Sequence, residues 1–557
     1  MDKFTVARTL DEIGRYLELA ETNRFKARAY ERAARKVETL DADINQLVES
    51  GDLYQTPGIG KGIGPIVEEI VRTGRTQYLD ELREQYPAGI FDLLRVPNLG
   101  LKKVGILHEQ LGIGSIDELE AACRDGRIAK LKGFGAKTQE KILGGIAWAR
   151  KRESQFLLPV GLEIANTLRE QLAAIDAVDD AEIAGSVRRR LEIVRNVNLV
   201  VSTRDPEAVV AALPNIVDDL EHVDGAVLKG TARGEIDVLF HFTKPADFGP
   251  TLLRATGSRE FVEAFEEKTT PRGRTEEEVF ERAGIPFVEP ERREDAEELK
   301  HKKRAKLVHP SDLRGTFHVH TTFSDGRNSV REMLDAAKER GYDYVGISDH
   351  SPAAFYANGV TEPRLREQHA EIARHEPDLK PMRIFRGTEA DILGDGSIDY
   401  GPNVLGKFDF VIASIHSRFQ MGKEEMTERI LKALDDPHVT FLGHLTGRKL
   451  LSRDGYTMDF DRVFERAGER GVMIEINGNP NRLDIDWLLV KRALDRGVVF
   501  SINPDAHSTR EMNAVITGTW VARKAGLGSK EIFNTRPVEE VEEWLGKRAT
   551  AARAARS

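Results

Sequence analysis

The chain has 557 residues and a formal net charge of -10, with 40% hydrophobic and 31% charged residues. The length predicts three or four domains, and the composition is ordinary for a globular protein. A net negative charge excludes a polycation that binds nucleic acid by overall charge, so such binding would need local patches or backbone amides. The sequence contains no run of about 18 apolar residues, so it predicts no membrane-spanning helix. The single cysteine, Cys123, excludes an intrachain disulfide and multi-thiolate metal sites and fits a reducing cytoplasm.

Residues 1–50 show the apolar periodicity of amphipathic helices, and three related segments follow, each predicting a helix, a tight glycine turn and a second helix. Such a turn points backbone N–H groups and a helix dipole at one spot, where a phosphate can bind. One copy could be a turn without a ligand, but three copies with nearby lysines favour sequence-independent binding of the DNA backbone. The predicted DNA-binding residues are Gly58, Gly60, Lys61, Gly62, Gly100, Lys102, Lys103, Gly133, Gly135 and Lys137. The segments resemble helix-hairpin-helix motifs, with Asn98 in place of the usual glycine in the second copy.

The pattern changes after the third of these segments. Short β-like runs such as VNLVVS alternate with helical patterns up to about residue 250, which predicts an α/β segment. Residues 262–308 are dense in charge, and their second half predicts a linker with a basic end. From Phe317 onward, apolar strands such as YVGIS and VVFSIN alternate with helices, which favours a parallel barrel or a wound sheet.

Histidines and carboxylates recur along the strands of this last region. His318 and His320 lie two residues apart in a predicted strand, so their side chains share a face. The other polar groups lie at or just past the carboxyl ends of strands, where parallel α/β folds build their sites. A single such histidine is more often a core or surface residue, but six of the chain's 14 histidines lie in or beside the strands of this region. The predicted metal ligands are His318, His320, Asp325, His350, Glu389, His416, His444, Asp505 and His507.

These residues resemble the polymerase-and-histidinol-phosphatase (PHP) domain in the segments FHVHTTFSDG, ISDHS, GHLTGR and NPDAH. The resemblance implies a distorted seven-stranded βα barrel with up to three divalent metals. It groups His318, His320, Glu389 and Asp505 on one ion, Glu389, His416 and His444 on a second, and Asp325, His350 and His507 on a third. It also implies a phosphoesterase in which His318, Glu389 and Asp505 are catalytic. Mn²⁺ is the expected ion, with Zn²⁺ or Fe²⁺ as alternatives that suit the same ligands. Arg418 and Arg448 are candidates for phosphate contacts or, equally, for surface ion pairs.

The order of hairpins, α/β segment and PHP domain resembles the family X DNA polymerases of bacteria and archaea over the whole chain. Gly185-Ser186-Val187-Arg188-Arg189 matches the G-S-x-R-R that cradles a nucleotide triphosphate in that family. Where the family has Asp-x-Asp, this chain has Asn196-Val197-Asn198. A charge pair at about 4 Å is worth about 4 kcal/mol at a dielectric of about 20, so losing both anions should cost many orders of magnitude in rate. The predicted degenerate polymerase site is Gly185, Ser186, Arg189, Asn196, Asn198 and Asp237.

The fold expected is therefore a multidomain α/β chain with N-terminal all-α helix-hairpin-helix domains, a nucleotidyltransferase-like palm and a C-terminal distorted (βα)7 barrel. The expected segments are a helical DNA-binding domain with a helix-hairpin-helix at 1–80, a fingers-like helix-hairpin-helix domain at 81–153, and a degenerate palm and thumb at 154–290. A charged linker at 291–314 and a PHP domain at 315–550 follow.

The functional hypothesis is a monomeric DNA-repair nuclease. It would act as a metal-dependent 3′–5′ exonuclease on gapped, nicked or 3′-ended DNA in the cytoplasm. Two alternatives stay open: an active gap-filling polymerase with an attached exonuclease, and a small-molecule phosphatase of the histidinol-phosphatase kind. The first is opposed by Asn196 and Asn198, and the second leaves three DNA-binding hairpins unexplained.

Overall fold

The structure is a computed structural model that divides the chain into two units, Met1–Glu153 and Ser154–Ser557. No helix of the residues described is long and apolar enough to cross a membrane. The residues described are 3–20, 24–38, 40, 43–56, 58–87, 89–97, 99–151, 154–233, 236–301 and 306–554.

The first unit is helical throughout the part of it that the structure describes. Its apolar stripes meet in one core, in which Leu10, Ala33, Val67 and Val104 have no solvent exposure. The helices are α1 (Lys3–Leu19), α2 (Arg24–Glu38), α3 (Ile44–Ser50), α4 (Gly64–Thr73), α5 (Gln77–Glu84), α6 (Leu101–Leu111), α7 (Ile116–Arg124) and α8 (Gly135–Lys151).

The three glycine turns share one construction. Each buries its middle apolar residue, Ile59, Leu99 or Phe134, whose N–H donates to the carbonyl three residues earlier at 3.0–3.1 Å. The flanking glycines and Lys61, Lys102 and Lys137 are exposed, and Lys103 is half-buried. This leaves the predicted DNA-binding residues on the surface around an anchored turn.

The first arm of each hairpin departs from the predicted helix. It is a short 3-10 turn in all three copies, at Asp52–Gln55, Ile90–Arg95 and Ile128–Lys130. The tight turn requires a left-handed backbone at Gly58 (φ 90°) and Gly133 (φ 92°), which glycine adopts without steric cost. The equivalent position of the second copy, Asn98, lies outside the described residues.

The second unit begins with an α/β region built on a mixed sheet. Its elements are β1 (Phe156–Leu157), α9 (Leu158–Ala173), β2 (Val178–Ala184), α10 (Gly185–Arg188), β3 (Ile193–Val194), β4 (Asn196–Thr203), α11 (Pro206–Ala212), β5 (Asp218–Asp224), β6 (Val227–Ala232), β7 (Ile236–Thr243), α12 (Phe248–Thr256), α13 (Arg259–Lys268) and α14 (Glu276–Ala283). In the sheet order β2-β4-β7-β6-β5, β4 and β7 are parallel and the other neighbours antiparallel. Helix α9 packs against β2 and β4.

A nearly closed barrel of seven parallel strands occupies residues 306–554, all of which the structure describes. The strands follow chain order, and the last is joined to the first where Ala506 pairs with Val319. The strands are β8 (Gly315–Val319), β9 (Tyr344–Ile347), β10 (Arg383–Asp391), β11 (Phe410–Ser414), β12 (Phe441–Leu442), β13 (Met473–Asn477) and β14 (Phe500–Asn503). The helices are α15 (Val330–Glu339), α16 (Glu362–Leu379), α17 (Pro402–Leu405), α18 (Lys423–Leu434), α19 (Phe460–Arg470), α20 (Trp487–Leu494), α21 (Val515–Ala525) and α22 (Val538–Ala554).

Aromatic rings fill the amino-terminal end of the barrel. The ring of Phe317 lies 5.0 Å from the rings of both Phe410 and Phe441. Val541 and Leu545 of α22 pack against this aromatic cluster. Because one end of the barrel is packed with apolar side chains, polar groups can gather only at the carboxyl ends of the strands.

The charged segment 291–301, predicted as part of a linker, is packed between the two halves of the second unit. Arg293 is completely buried and pairs with Glu276. Glu291 accepts a hydrogen bond from Arg523 of α21 at 2.6 Å. The charges of Arg293 and Glu291 are therefore paired within the fold, whereas Glu297 and Lys300 of the same segment are exposed. The five predicted segment boundaries stay a prediction.

Candidate metal centre

The nine predicted ligands converge at the carboxyl end of the barrel. Glu389 lies inside β10, His318 lies inside β8, and the others follow their strands directly or lie in the next turn. His318, His444 and Asp505 all have positive φ angles, between 25° and 61°. Non-glycine residues rarely adopt this conformation, and such backbone strain is concentrated at functional sites.

Glu389 is the centre of the cluster and has no solvent exposure. Its Oε1 lies 2.9 Å from Nε2 of His444, 3.3 Å from Nε2 of His318 and 3.4 Å from Nε2 of His416. Its Oε2 lies 2.9 Å from Nδ1 of His350. One carboxylate therefore reaches four imidazoles, which is the arrangement of a ligand shared between ions.

Two further groups flank Glu389. Oδ1 of Asp505 lies 3.5 Å from Nε2 of both His318 and His320. Oδ1 of Asp325 lies 3.3 Å from Nε2 of His507, and His320 stacks on the His507 ring at a centroid distance of 4.2 Å.

The nine side chains form four overlapping sets whose ligand atoms lie within 4.8 Å of one another. These sets match the implied grouping in part, because His320 also joins the Asp325 set and His350 also approaches Glu389. They are His320, Asp325, His350 and His507; His318, Glu389 and His444; His318, His320 and Asp505; and His350, Glu389 and His416.

Buried polar atoms without partners show that the cluster fits a metal. Among the described residues, Nε2 of His318 and both ring nitrogens of His320 are buried and make no hydrogen bond. Leaving such atoms unpaired is costly, and bound cations would satisfy them.

Without bound ions, the carboxylates and imidazoles of the cluster shift one another's pKa values. Burial opposes the charged form of His416 and His507, but neighbouring carboxylates outweigh it and raise the pKa of each to about 9. Burial opposes ionisation of Glu389, but His350, His318 and His416 outweigh it and hold the pKa of Glu389 well below its usual range. Burial and the neighbouring His507 and His350 lower the pKa of His320 to about 3, which keeps its imidazole neutral as a metal ligand must be.

Glu475 supports the ligands from behind and was missed by the sequence analysis. It is fully buried in β13, and its carboxylate accepts hydrogen bonds from Nδ1 of His318 at 2.5 Å, the N–H of His444 at 3.0 Å and the side-chain amides of Asn477 and Asn503. Asp391 orients His416 in the same way at 2.8 Å. A glutamate between the isoleucines of the apolar strand MIEIN was a readable signal, because an acid is seldom fully buried without a partner.

We expect Glu475→Gln to weaken Mn²⁺ binding about 10- to 100-fold, the range typical of a lost outer partner of a metal-ligating histidine. The amide of glutamine cannot accept all four hydrogen bonds, so the ring of His318 would lose its fixed orientation. Calorimetric titration of the full chain with Mn²⁺ measures this directly. Glu465→Gln, an exposed glutamate on α19, is the control; an unchanged affinity in Glu475→Gln would contradict the role given to Glu475.

A cleft of about 540 Å³ opens over the cluster. Besides the ligands, three cations line it, Lys449, Arg453 and Arg482, and Nε of Arg482 lies 3.4 Å from Oδ2 of Asp505. These cations come from loops that meet only in the fold, so no local sequence pattern marks them.

The two arginines considered for phosphate contacts do not line this cleft. Arg448 donates to Glu192 of the α/β region at 2.6 Å and to the backbone carbonyls of Arg482 and Leu483. The guanidinium of Arg418 packs beside Gly394. Arg448 is thus an ion-pair residue, but its pair with Glu192 is largely buried and not on the surface as the second alternative expected.

The predicted polymerase residues also come together, but around uncharged side chains. Asn196 on β4 pairs in register with Asp237 on β7. Nδ2 of Asn198 donates to Oδ1 of Asn196 at 2.8 Å, and the imidazole of His241 lies 2.9 Å from Oδ1 of Asn198. Asp237 pairs with Lys229 at 3.3 Å. One hydrogen bond therefore joins the two amides, and His241 contacts the oxygen of the second.

The segment predicted to cradle a nucleotide is bonded to acids of the chain itself. Gly185 and Ser186 begin α10, which leads into the two arginines. Arg188 pairs with Glu276 at 2.7 Å, and Arg189 pairs with Glu294 at 3.0 Å. Lys524 from the barrel helix α21 also contacts Glu294, at 2.5 Å. The positive side chains that would have to contact a nucleotide triphosphate are therefore paired with carboxylates of the chain.

Family models match three parts of the chain: a helix-hairpin-helix domain at residues 1–76, a SAM-like helix-hairpin-helix tandem at 90–146 and a PHP domain at 316–479. The last match ends before Asp505 and His507.

Among curated proteins, the "DNA polymerase/3'-5' exonuclease PolX" of Bacillus subtilis is 34% identical over 572 residues, which cover 98% of this chain and 99% of that protein. A "Probable phosphatase" of Syntrophotalea carbinolica is 26% identical over 240 residues, or 41% of this chain and 94% of that protein. A probable phosphatase of Thermoanaerobacter sp. is 26% identical over 246 residues, or 41% of this chain and 92% of that protein. Because the similarity to the Bacillus protein runs through hairpins, α/β region and barrel alike, this chain belongs to the PolX family of DNA polymerases/3′–5′ exonucleases.

Proposed function

We propose that this PolX protein works as a 3′–5′ DNA exonuclease through its PHP barrel and that its polymerase region is catalytically inactive. The observation that carries the proposal is the contrast between the two sites. The barrel keeps nine converging ligands with buried, unpartnered ring nitrogens, whereas β4 offers two mutually bonded amides.

The barrel residues divide the work of phosphodiester hydrolysis. His318, His320, Glu389 and Asp505 would hold one divalent cation, with the remaining ligands holding up to two more, and Mn²⁺ is the expected ion. Such ions supply an acidified water and neutralise the charge that builds on the phosphoryl group. Lys449, Arg453 and Arg482 place three positive charges along the same cleft, where they can hold the phosphates on either side of the bond that breaks.

The α/β region lacks what nucleotide transfer needs. Mg²⁺ prefers carboxylate oxygens, and only Asp237 remains of the expected three acids. The arginines of the cradle are paired with Glu276 and Glu294. We infer that this region now supports the barrel and that the hairpins hold DNA through its backbone, in the setting of DNA repair.

A small-molecule phosphatase is the second candidate, since relatives of the barrel alone carry the name phosphatase. It would use the same ligands on a phosphomonoester. The hairpin domains favour the nuclease, because they would have no part in binding a small substrate.

A one-nucleotide gap with a 5′-labelled primer tests the proposal. With Mn²⁺, we expect the primer to shorten, with or without deoxynucleotides, and shortening to disappear in His318→Ala. His222→Ala, which removes an exposed histidine of β5, should match the wild type. Extension by one nucleotide that survives in His318→Ala would show an active polymerase and overturn the proposal. Hydrolysis of phosphomonoesters far faster than that of DNA would favour the phosphatase.

A further inference from the structure

Two neighbouring aromatic rings are presented to solvent at the edge of the metal cleft. Phe355 is 86% exposed and Tyr356 is 60% exposed, which places them among the most exposed large apolar side chains of the described residues. Burying a phenylalanine side chain stabilises a fold by about 1.5–3 kcal/mol, so leaving these two rings in water reduces the stability that the fold could have. An apolar group kept in water beside a reaction site is typical of a binding surface.

The turn that carries the rings is firmly anchored. Ala354 and Ala357, on either side of the pair, are buried. The N–H of Val360 donates to the carbonyl of His350 at 2.8 Å, and the hydroxyl of Tyr400 donates to the carbonyl of Val360. The exposure of the two rings is therefore a feature of a fixed loop.

The rings continue the cleft outward from the metal ligands. Tyr356 lines the cleft, with its ring 6.5 Å from that of His350 and 6.3 Å from that of His416. Phe355 lies one ring farther out, 6.0 Å from Tyr356 at an interplanar angle of 78°. Planar faces next to a cationic cleft are the two components of a surface that binds single-stranded nucleic acid.

We propose that Phe355 and Tyr356 form a stacking platform for the bases of a single-stranded DNA 3′ end, while Lys449, Arg453 and Arg482 hold its phosphates. The inference rests on the proposed exonuclease function and narrows its substrate to an unpaired terminus. A duplex end would have to fray before its last base reached the rings. The recognition is independent of sequence, because every base has a flat face.

The platform is tested by combining substitutions of Phe355 with removal of the terminal base of the DNA and comparing the cleavage rates. The substrates are an oligothymidylate and the same strand ending in an abasic tetrahydrofuran nucleotide, each cut with Mn²⁺ under single-turnover conditions. We expect Phe355→Ala to slow removal of the terminal thymidine about tenfold, within the range of a lost base–aromatic stack. It should leave removal of the abasic nucleotide unchanged, and Phe355→Trp should restore the rate. Leu488→Ala, at another exposed apolar residue of the same unit, should have no effect.

A binding measurement separates failure of the platform from failure of the nuclease. In the Glu389→Gln background, a 2-aminopurine at the 3′ end of a single strand should be quenched on binding, and Phe355→Ala should remove the quenching. If the wild type does not cut DNA, the proposed function fails, and this fluorescence still decides whether the platform exists. Equal slowing of both substrates by Phe355→Ala, or quenching that persists in that variant, would overturn the inference.

Discussion

Replacing Glu389 by glutamine should reduce DNA cleavage by at least about a thousandfold. The substitution preserves shape but removes the one negative charge that lies within 3.4 Å of four imidazoles. A charge pair at about 4 Å is worth about 4 kcal/mol at an effective dielectric of about 20, and each 1.36 kcal/mol is a factor of ten in rate. Single-turnover cleavage of a labelled single strand with Mn²⁺ measures the effect.

The matched control is Glu425→Gln, an exposed glutamate on α18 of the same barrel. It should cleave like the wild type. Metal content, determined on both variants, separates loss of ions from loss of chemistry in a loaded site. Cleavage by Glu389→Gln within tenfold of the wild-type rate would mean that the reaction takes place elsewhere in the chain.

Replacing Glu276 by glutamine should lower the free energy of unfolding of the second unit by about 3–5 kcal/mol, the cost typical of removing one partner of a buried ion pair. Arg293 has no solvent exposure, and its guanidinium reaches the carboxylate of Glu276 with two nitrogens. Without that charge, Arg293 would stay buried and unpaired. Denaturant unfolding followed by tryptophan fluorescence reports this, because Trp487, Trp520 and Trp544 all lie in the second unit.

The neighbouring Glu277 on α14 is exposed, so Glu277→Gln should unfold like the wild type. Because Glu276 also pairs with Arg188, the triple variant Glu276→Leu, Arg293→Met and Arg188→Met should regain most of the lost stability, since apolar replacement of a buried ion-pair group is often neutral. If Glu276→Gln alone lowers the unfolding free energy by less than 1 kcal/mol, water must reach Arg293, and its assigned burial is wrong.

The convergence of the nine predicted ligands could be expected because each lies on or just after a strand, seven of them within short motifs, and parallel strands bring their carboxyl ends together. Glu475 carried a signal of its own and was overlooked. The exposed turn of Phe355 and Tyr356 and the trio of Lys449, Arg453 and Arg482 could not be predicted. Their positions depend on how separate loops close over the barrel, which no local periodicity encodes.

The segment 291–301 shows a different limit. Its charge density predicts a linker with a basic end, and in the structure Arg293 and Glu291 pair with residues of α14 and α21. Charge alone does not distinguish solvation from internal pairing, because the partners are far away in sequence. The hairpins show a third limit, since residues 52–55 and 90–95 form 3-10 turns and not the α-helix that their apolar pattern favours.

The bonding of Arg188 and Arg189 bears on how this chain can evolve. Both arginines are now fastened to Glu276 and Glu294, and Glu294 also receives Lys524 from the barrel. Aspartates at positions 196 and 198 would leave these arginines engaged, and freeing them would loosen the junction between the two halves of the unit. An anion site in this region would therefore need changes at several positions together, because the same arginines stabilise the fold.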